Sequence, residues 1–267
     1  MKRLLSLFAA AALFITACTT NAVTGRKQLS LISEDALQQE AVTQYRSFLS
    51  QNKVVTNSGS RDAEMVRRVG SRIASAITQY YRSKGLANEL AGYKWEFNLV
   101  DNKDVNAWCM PGGKVVVYTG LFTAAVNEAQ LAVVLGHEIT HAVAHHSQER
   151  MSRAMLAQGI GVGGSAVFGN SQAGNIFNNV YAPAATVGVL LPNSRNQELE
   201  ADRFGLIFAA MAGYNPREAI PFWTKMASIG GAKPPTFLST HPADGQRIER
   251  LKKYMPEALK YYKPVRK

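Results

Sequence analysis

Two histidines four residues apart, with a glutamate beside the first, are the residues of this chain best suited to chemistry. They form the stretch His137-Glu138-Ile139-Thr140-His141. On an α-helix, residues four apart share a face, so both imidazoles can reach one metal ion. Glu138 lies about 100° round the helix, where it can take a proton from water without being a ligand. The stretch predicts a zinc hydrolase, and first among hydrolases a peptidase.

The residues before this stretch predict a buried helix. Asn127 is a candidate N-cap, with Gln130 three residues on as in a capping box. An apolar stripe follows at helical spacing: Leu131, Val134 and Leu135. The alternative is a surface helix with solvated histidines, which would not need this stripe. We expect the helix to run to about Ala157.

A third metal ligand must come from the chain after His141, since catalytic zinc usually has three protein ligands and one position for water. The best source is Ser194 to Asp202, where Glu198 and Asp202 share one helix face. Glu198 would bind the metal, and Asp202 could accept the N–H of a ligand histidine. Spacing alone leaves open a solvated helix start whose acids favour the macrodipole. Glu200 points elsewhere and is expected to be a surface acid.

The rest of the chain predicts a helix-rich α+β fold with one domain over residues 35–267. Helical spacing covers 33–49 and 61–84, and strands are predicted at 94–100, near Val105 and at 114–118. Pro111-Gly112-Gly113 should join the last two strands, giving a small, mainly antiparallel sheet before the metal helix. The Gly-rich segment 161–174 could cover the cleft as a lid, although such segments are often only flexible.

The amino terminus resembles a bacterial lipoprotein signal. A basic Met1-Lys2-Arg3 precedes an apolar run that is too short to span a bilayer, and Cys18 follows. By that resemblance residues 1–17 are a signal peptide, Cys18 is acylated, and 18–34 form a lipidated tether. An ordinary signal peptide is the alternative. Thr19 rather than Asp after the cysteine favours the periplasmic face of the outer membrane.

The charge and the cysteine content limit the kinds of binding partner that we expect for this chain. The 267 residues carry 30 Lys+Arg against 19 Asp+Glu, a formal charge of +11, which suits anionic lipid headgroups. No nucleic-acid-binding motif is present, and an exported protein rarely meets DNA. After acylation of Cys18 only Cys109 remains as a thiol. We expect it to be buried, although its chemistry would also allow it to bind zinc.

Four motifs in order resemble one peptidase group. They are H-E-x-x-H at 137–141, S-R-x-x-E-x-x-A-D at 194–202, the strand pair around 106–121, and Ser239-Thr240-His241-Pro242 followed by Arg247. This set is similar to the gluzincin zinc peptidases related to HtpX, the CAAX prenyl proteases and the mitochondrial Oma proteases. The short length resembles the LoiP-type bacterial lipoproteins.

The resemblance implies a gluzincin-type fold with one zinc ion per chain, bound by His137, His141 and Glu198. It implies that Glu138 is the catalytic acid and base and that Asp202 supports a ligand. It places His241 near the oxyanion, with Arg247 supporting that side. His145 and His146 are expected to be structural or to support the ligands.

The predicted substrate is an extended polypeptide added to the edge of the Val115–Tyr118 strand. The residues expected to bind it are Asn106, Gly113, Val115 and Val117. Pairing through the backbone suits unfolded or misassembled proteins, so the resemblance implies quality control in the cell envelope. Two alternatives stay open: a lipid-anchored chaperone or assembly factor whose zinc is structural, and an amide hydrolase acting on peptidoglycan. The oligomeric state is not predicted.

Overall fold

The computed structural model describes residues 18–56, 59–157, 194–229, 235–241 and 246–264. The predicted signal peptide and the segment 161–174 lie outside the described residues. The described helices are α1 (Glu34–Gln51), α2 (Arg61–Ser83), α3 (Glu128–Val143), α4 (His146–Ala157), α5 (Arg195–Met211), α6 (Ala219–Ile229), α7 (Thr236–Thr240) and α8 (Arg247–Leu259). The described strands are β1 (Cys18–Thr20), β2 (Lys27–Leu29), β3 (Val54–Val55), β4 (Glu96–Val100), β5 (Ala107–Met110) and β6 (Lys114–Tyr118).

The helix-rich α+β prediction is confirmed. The main sheet has the order β3-β4-β6-β5, and a separate two-stranded sheet joins β1 to β2. The β3–β4 and β5–β6 pairs are antiparallel, whereas β4 and β6 run parallel. None of the helices in the described part of the chain is long and apolar enough to cross a bilayer.

Strand β6 is buried on both faces of the main sheet. Val115 and Val117 belong to the core that includes α2 and α3, whereas Val116 and Tyr118 pack with α1 on the opposite face. This division follows from the alternation of side chains along a strand. The sheet therefore forms a rigid support beneath the H-E-x-x-H helix.

A pair of glycines sets the distance between the two helices that carry the predicted ligands. A Cβ on Gly136 would lie 2.5 Å from the carbonyl oxygen of Gly205, and a Cβ on Gly205 would lie 2.8 Å from the backbone nitrogen of His137. Because the obstructing atoms belong to the backbone, neither contact can be relieved by a rotamer change. Helices α3 and α5 can approach this closely only because positions 136 and 205 carry no Cβ atom.

Replacing Gly136 with alanine should therefore destabilise the fold and separate the ligand helices. Overpacking of this kind typically costs about 1–3 kcal/mol. Urea unfolding measures the loss of stability. Zinc titration measures whether the predicted donors still bind the metal with the wild-type affinity. An unchanged unfolding midpoint together with unchanged zinc affinity would show that α3 and α5 can accommodate a methyl group at position 136 without moving apart.

The helix that begins at Glu128 does not continue to Ala157, so that prediction is wrong. It ends at Val143, and α4 starts at His146. Between them His145 has a backbone φ of +54°, in the left-handed region. Its Nδ1 lies 3.0 Å from Glu34 Oε2 and its Nε2 lies 3.7 Å from Glu89 Oε2. These two carboxylates hold the turn in place.

Stability should depend on the charge of His145. Burial alone would lower the pKa of its imidazole, but the carboxylates of Glu34 and Glu89 raise it to about 9. Because the folded pKa exceeds the unfolded value of about 6.5, the contribution is complete below pH ~6.5 and is lost as the pH rises through about 9. It amounts to about 2–3 kcal/mol at neutral pH.

The variant His145→Asn tests this dependence, because asparagine tolerates a positive φ but cannot carry the charge. The difference in unfolding free energy between wild type and variant should be largest near pH 6 and should shrink toward pH 9.5. Comparing the two proteins at each pH cancels the effect of pH on metal binding. A difference that stays constant over this range would rule out the proposed charge effect.

Candidate active site

The predicted ligand histidines lie on one face of α3. Asn127 caps the helix, accepting a hydrogen bond from Gln130 N at 2.9 Å, as predicted. His137 Nε2 and His141 Nε2 are 3.1 Å apart, and both side chains are buried. The two nitrogens therefore point at a common centre.

Helix α5 delivers the predicted third donor to the same centre. Ser194 and Gln197 form a complete capping box that fixes the start of the helix. Glu198 follows in the first turn, with Oε1 3.3 Å from His141 Nε2 and Oε2 3.5 Å from His137 Nε2. The alternative of a solvated acidic helix start is wrong, because the Glu198 side chain is buried.

His241 closes the fourth side of the centre. Its Nδ1 lies 2.9 Å from Glu198 Oε1 and 3.1 Å from His137 Nε2. One donor atom from each of His137, His141, Glu198 and His241 lies within 4.8 Å of the others. His241 directly follows α7, so this donor comes from a third segment of the chain, separate from α3 and α5.

The donor set fits a divalent metal. Three imidazole nitrogens converge at contacts of about 3 Å. Oε2 of Glu198 is buried and makes no hydrogen bond within the described part of the chain, although it forms an ion pair with Arg247 at 3.2 Å. Buried polar atoms are normally paired. A cation at the centre would satisfy the nitrogens and the carboxylate together, and imidazole with carboxylate is the ligand chemistry that suits zinc.

The carboxylate of Glu138 lies beside the ligands without joining them. Its Oε1 is 3.3 Å from His241 Nε2. Burial raises the pKa of Glu138, and the charges of His241 and His137 only partly oppose this effect. A carboxyl group whose pKa is raised by burial can both accept and return a proton, as its predicted role requires.

The surroundings of the cluster shift the pKa values of its members in different directions. Burial lowers the pKa of His141 well below its usual value, which keeps the ring neutral. Burial alone would raise the pKa of Glu198, but the charges of His241 and His137 and hydrogen bonds from the rings bring it well below normal. For His241 the carboxylates of Glu198 and Glu138 outweigh burial and raise the pKa.

Asp202 takes the position predicted for it. Its Oδ1 lies 3.1 Å from His137 Nδ1, so it can accept the N–H of that ring and leave Nε2 free for a metal. Arg247 donates to the same Asp202 oxygen at 2.5 Å and lies 3.2 Å from Glu198 Oε2. Its guanidinium also stacks on the Trp223 ring, 3.4 Å from the centroid.

Arg247 was expected to support the side of the site on which His241 lies, and that role stays a prediction. The side chain is almost completely buried behind His137, Glu198 and Asp202. There it joins Glu198, a predicted ligand, to Asp202, the predicted partner of another. The sequence offered no signal for Trp223, because an aromatic residue on a buried helix face is ordinary core.

The prediction for Glu200 is also wrong. Glu200 is not a surface acid, since its Oε2 accepts from His146 Nε2 at 2.8 Å and its Oε1 lies 2.6 Å from Arg26 Nε. His146 in turn contacts the ring of His141, a predicted metal ligand, with 2.8 Å between the two Nδ1 atoms. The supporting role expected for His146 fits this contact, and burial lowers its pKa.

The residues predicted to bind substrate belong to the interior of the sheet. Val115 and Val117 are fully buried in β6, which lies between β4 and β5 and has no free edge. Gly113 packs against Trp95, and the carbonyl of Asn106 accepts from the backbone of β6. The edge strand beside α3 is β5 instead, so the prediction named the wrong strand of the hairpin.

Cys109 lies in β5 as a free, buried thiol, as expected. Burial, with a further contribution from the charge of Glu138, raises its pKa well above the usual value. A thiol that resists ionisation is a poor metal ligand. Cys18, by contrast, is exposed in β1.

A small sheet under an H-E-x-x-H helix, with a glutamate donated by a second helix, defines a gluzincin-type metallopeptidase domain. The sequence pattern of Peptidase family M48 matches residues 60–255. The chain therefore belongs to peptidase family M48.

Named relatives agree with this assignment. The mitochondrial metalloendopeptidase OMA1 of Saccharomyces cerevisiae is 34% identical over 191 residues, covering 68% of this chain and 53% of that protein. The beta-barrel assembly-enhancing protease of Yersinia pestis is 32% identical over 183 residues, covering 64% of this chain and 37% of that protein. The chain thus spans about half or less of the length of these relatives.

Proposed function

We propose that this chain is a zinc-dependent endopeptidase that cleaves unfolded or misassembled polypeptides of the bacterial cell envelope. The observation that carries the proposal is the convergence of His137, His141 and Glu198 on one centre, with the buried carboxylate of Glu138 beside it. The relatives, a mitochondrial metalloendopeptidase and a beta-barrel assembly-enhancing protease, support it.

His137, His141 and Glu198 would hold the metal. When bound, zinc polarises a peptide carbonyl and acidifies water near neutral pH. Glu138 accepts the proton of the attacking water on its carboxylate and then delivers it to the leaving amine. Its raised pKa makes the second transfer possible, because a strongly acidic carboxylic acid would not retain the proton.

His241 has a separate role in this proposal. A catalytic zinc site needs one position for water, and the His241 ring lies on the remaining side of the donor cluster. In the active enzyme the ring turns out of the cluster and donates an N–H to the developing oxyanion. Because it follows the five-residue helix α7, this movement would not require either of the helices that carry the other donors to bend.

The substrate would bind along the outer edge of β5. The carbonyl of Asn106 accepts from Tyr118 N, so even-numbered residues of β5 pair with β6. Ala107 and Cys109 then direct their backbone N–H and C=O groups away from β6, and no described strand pairs with that edge. Backbone pairing along an edge selects extended polypeptides and reads little sequence.

Attachment to the envelope would use the acylated Cys18. The exposure of this residue and the excess of basic residues, with a formal charge of +11, support a membrane-facing amino terminus. The membrane in question would be the outer one, on its periplasmic side.

Cleavage assays with three substrates test the proposed function. The chain starting at residue 18, with Cys18 replaced by serine and loaded with zinc, is incubated with an unfolded casein-like protein, a folded globular protein and muropeptides. The unfolded protein should be cut at internal sites visible by mass spectrometry, the reaction should stop with a chelator, and zinc should restore it. Cleavage of muropeptides alone would support the peptidoglycan alternative and contradict the proposal.

A chaperone with structural zinc is the second candidate, and His241 is the observation that favours it. Four protein donors around one centre are typical of a structural zinc site. The buried carboxylate of Glu138, which such a site does not need, argues for catalysis instead. If the second candidate were right, a chain lacking the Glu138 carboxylate would complement a deletion strain as well as wild type.

A further inference from the structure

A line of hydrogen bonds leads from the ligand ring of His141 to the amino-terminal hairpin. His141 Nδ1 lies 2.8 Å from His146 Nδ1, and His146 Nε2 lies 2.8 Å from Glu200 Oε2. Glu200 Oε1 accepts from Arg26 Nε at 2.6 Å. The line joins residues that are as much as 174 positions apart in sequence.

The chemistry of these groups fixes where the protons lie. An ionised carboxylate can only accept, so the proton of His146 is on Nε2, facing Glu200. In neutral His146 the other nitrogen, Nδ1, is then an acceptor, and His141 must donate to it from its own Nδ1. The remaining nitrogen of His141, Nε2, is left with its lone pair directed at the metal centre.

Arg26 holds Glu200 in the orientation that this arrangement needs. Its guanidinium makes two hydrogen bonds to Glu149, at 2.7 and 2.8 Å, and two to Glu200, at 2.6 and 3.1 Å. Glu149 is almost fully buried, so without Arg26 two neighbouring carboxylates would repel each other at low solvation. Glu200 would then be free to turn away from His146.

The hairpin that carries Arg26 is folded against the end of the ligand helix rather than hanging free as a tether. The side-chain amides of Asn21 and Gln28 both donate at 2.9 Å to the carbonyl of Ala144, the residue that caps α3. Further on, Leu31 N donates to Ser152 Oγ of α4 at 2.9 Å. The segment that follows Cys18 is therefore docked beside the site.

We propose that Arg26 and Glu200 are positioning residues of the metal site, which act through His146 to hold His141 in its metal-binding tautomer. The proposal rests on the proposed function, in which His141 is a metal ligand. On this proposal the β1–β2 hairpin contributes to the metal site, because it carries Arg26. Removing the hairpin would leave Glu200 without the guanidinium that orients it.

The affinity for zinc is the first readout. In the chain starting at residue 18, Arg26→Ala and Glu200→Ala should each weaken zinc binding about tenfold in competition with a chromogenic chelator, as expected for partners of a metal ligand. Because the residues act in series, the double variant should bind no more weakly than the weaker single variant. Arg26→Lys, which restores the charge, should recover part of the affinity.

Arg153→Ala is the matched control. Arg153 also pairs with Glu149, at 2.5 Å, whereas the ion pairs that Glu200 makes in the described part of the chain are with Arg26 and His146. Its removal perturbs the same carboxylate from the exposed side and should change zinc affinity by less than twofold. Thermal unfolding of every variant separates loss of zinc affinity from loss of fold.

The tautomer of His141 is the second readout, and a merely structural role would not change it. Nitrogen-15 NMR of the zinc-free protein should show the proton on Nδ1 of His141 in wild type and a mixture of tautomers in Glu200→Gln. That variant keeps the side-chain volume, so it serves even where an alanine variant does not fold, and its amide can present N–H groups to His146.

Unchanged zinc affinity and an unchanged His141 tautomer in folded Glu200 variants would overturn the inference, as would additive losses in the double variant. If wild type itself bound no zinc, or if His141→Ala bound it equally well, the proposed function would fail instead. The two failures are therefore distinguishable.

Discussion

Replacing Glu138 with glutamine should leave zinc bound while lowering the rate of peptide-bond cleavage by about 10²–10⁴-fold. The amide fills the same space beside His241 but cannot take a proton from water. Because Glu138 is not one of the predicted ligands, the substitution removes a buried charge and leaves the donor atoms on α3 and α5 in place. The measurement is kcat on an unfolded protein substrate, with the zinc content determined on the same sample.

Glu249→Gln provides the control for this experiment. Glu249 is an exposed acid on α8 that pairs with Lys252, and its change should leave kcat and zinc content at the wild-type level. Turnover retained by the Glu138 variant would refute the role of Glu138. Loss of zinc from that variant would mean that Glu138 supports the ligands rather than the reaction.

Replacing Glu198 with glutamine should have the largest effect on the metal itself. The donor cluster would lose its anionic member, so zinc affinity should fall by more than the ~10–100-fold that loss of a ligand's supporting partner costs. Arg247 would also lose the carboxylate that lies 3.2 Å from its Nη1. A buried charge left partly unpaired costs stability as well.

Elemental analysis after dialysis measures the first effect, and urea unfolding of zinc-free protein measures the second. A full complement of zinc in the Glu198 variant would remove this residue from the ligand set. Equal stability of the zinc-free variant and zinc-free wild type would show that Arg247 is sufficiently paired without Glu198.

Helical periodicity made it possible to predict which candidate donors share a helix face. His137 and His141, and likewise Glu198 and Asp202, are four residues apart, so each pair must share a face once a helix forms. The capping residues Asn127 and Ser194 indicate where those helices begin. Local rules therefore placed most of the candidate donors on common helix faces before any tertiary contact was known.

The partners behind the ligands were not predictable in this way. Glu200 lies two positions from Glu198 and so points to another side of α5, which on sequence grounds is solvent. In the structure Glu200 contacts Arg26, which lies 174 positions earlier in the sequence. It also contacts His146, which begins α4 after a break between α3 and α4 that no residue type predicts. Nothing near His145 is a glycine or proline, and its left-handed backbone depends on distant carboxylates.

The order of the strands was likewise beyond local reasoning. Alternation identified β4 and β6 as strands but could not say that they pair in parallel, which buries β6 and leaves β5 at the edge. The glycines at 136 and 205 show the same limit, since each is unremarkable alone and only their contact sets the spacing of the ligand helices.

Anomalous diffraction at the zinc edge, on crystals of the zinc-loaded protein, tests the metal centre most directly. We expect a single strong peak at bonding distance, about 2.0–2.2 Å, from His137 Nε2, His141 Nε2 and a carboxylate oxygen of Glu198. A peak at another group of residues, or none at these three donors in zinc-saturated protein, would contradict the account.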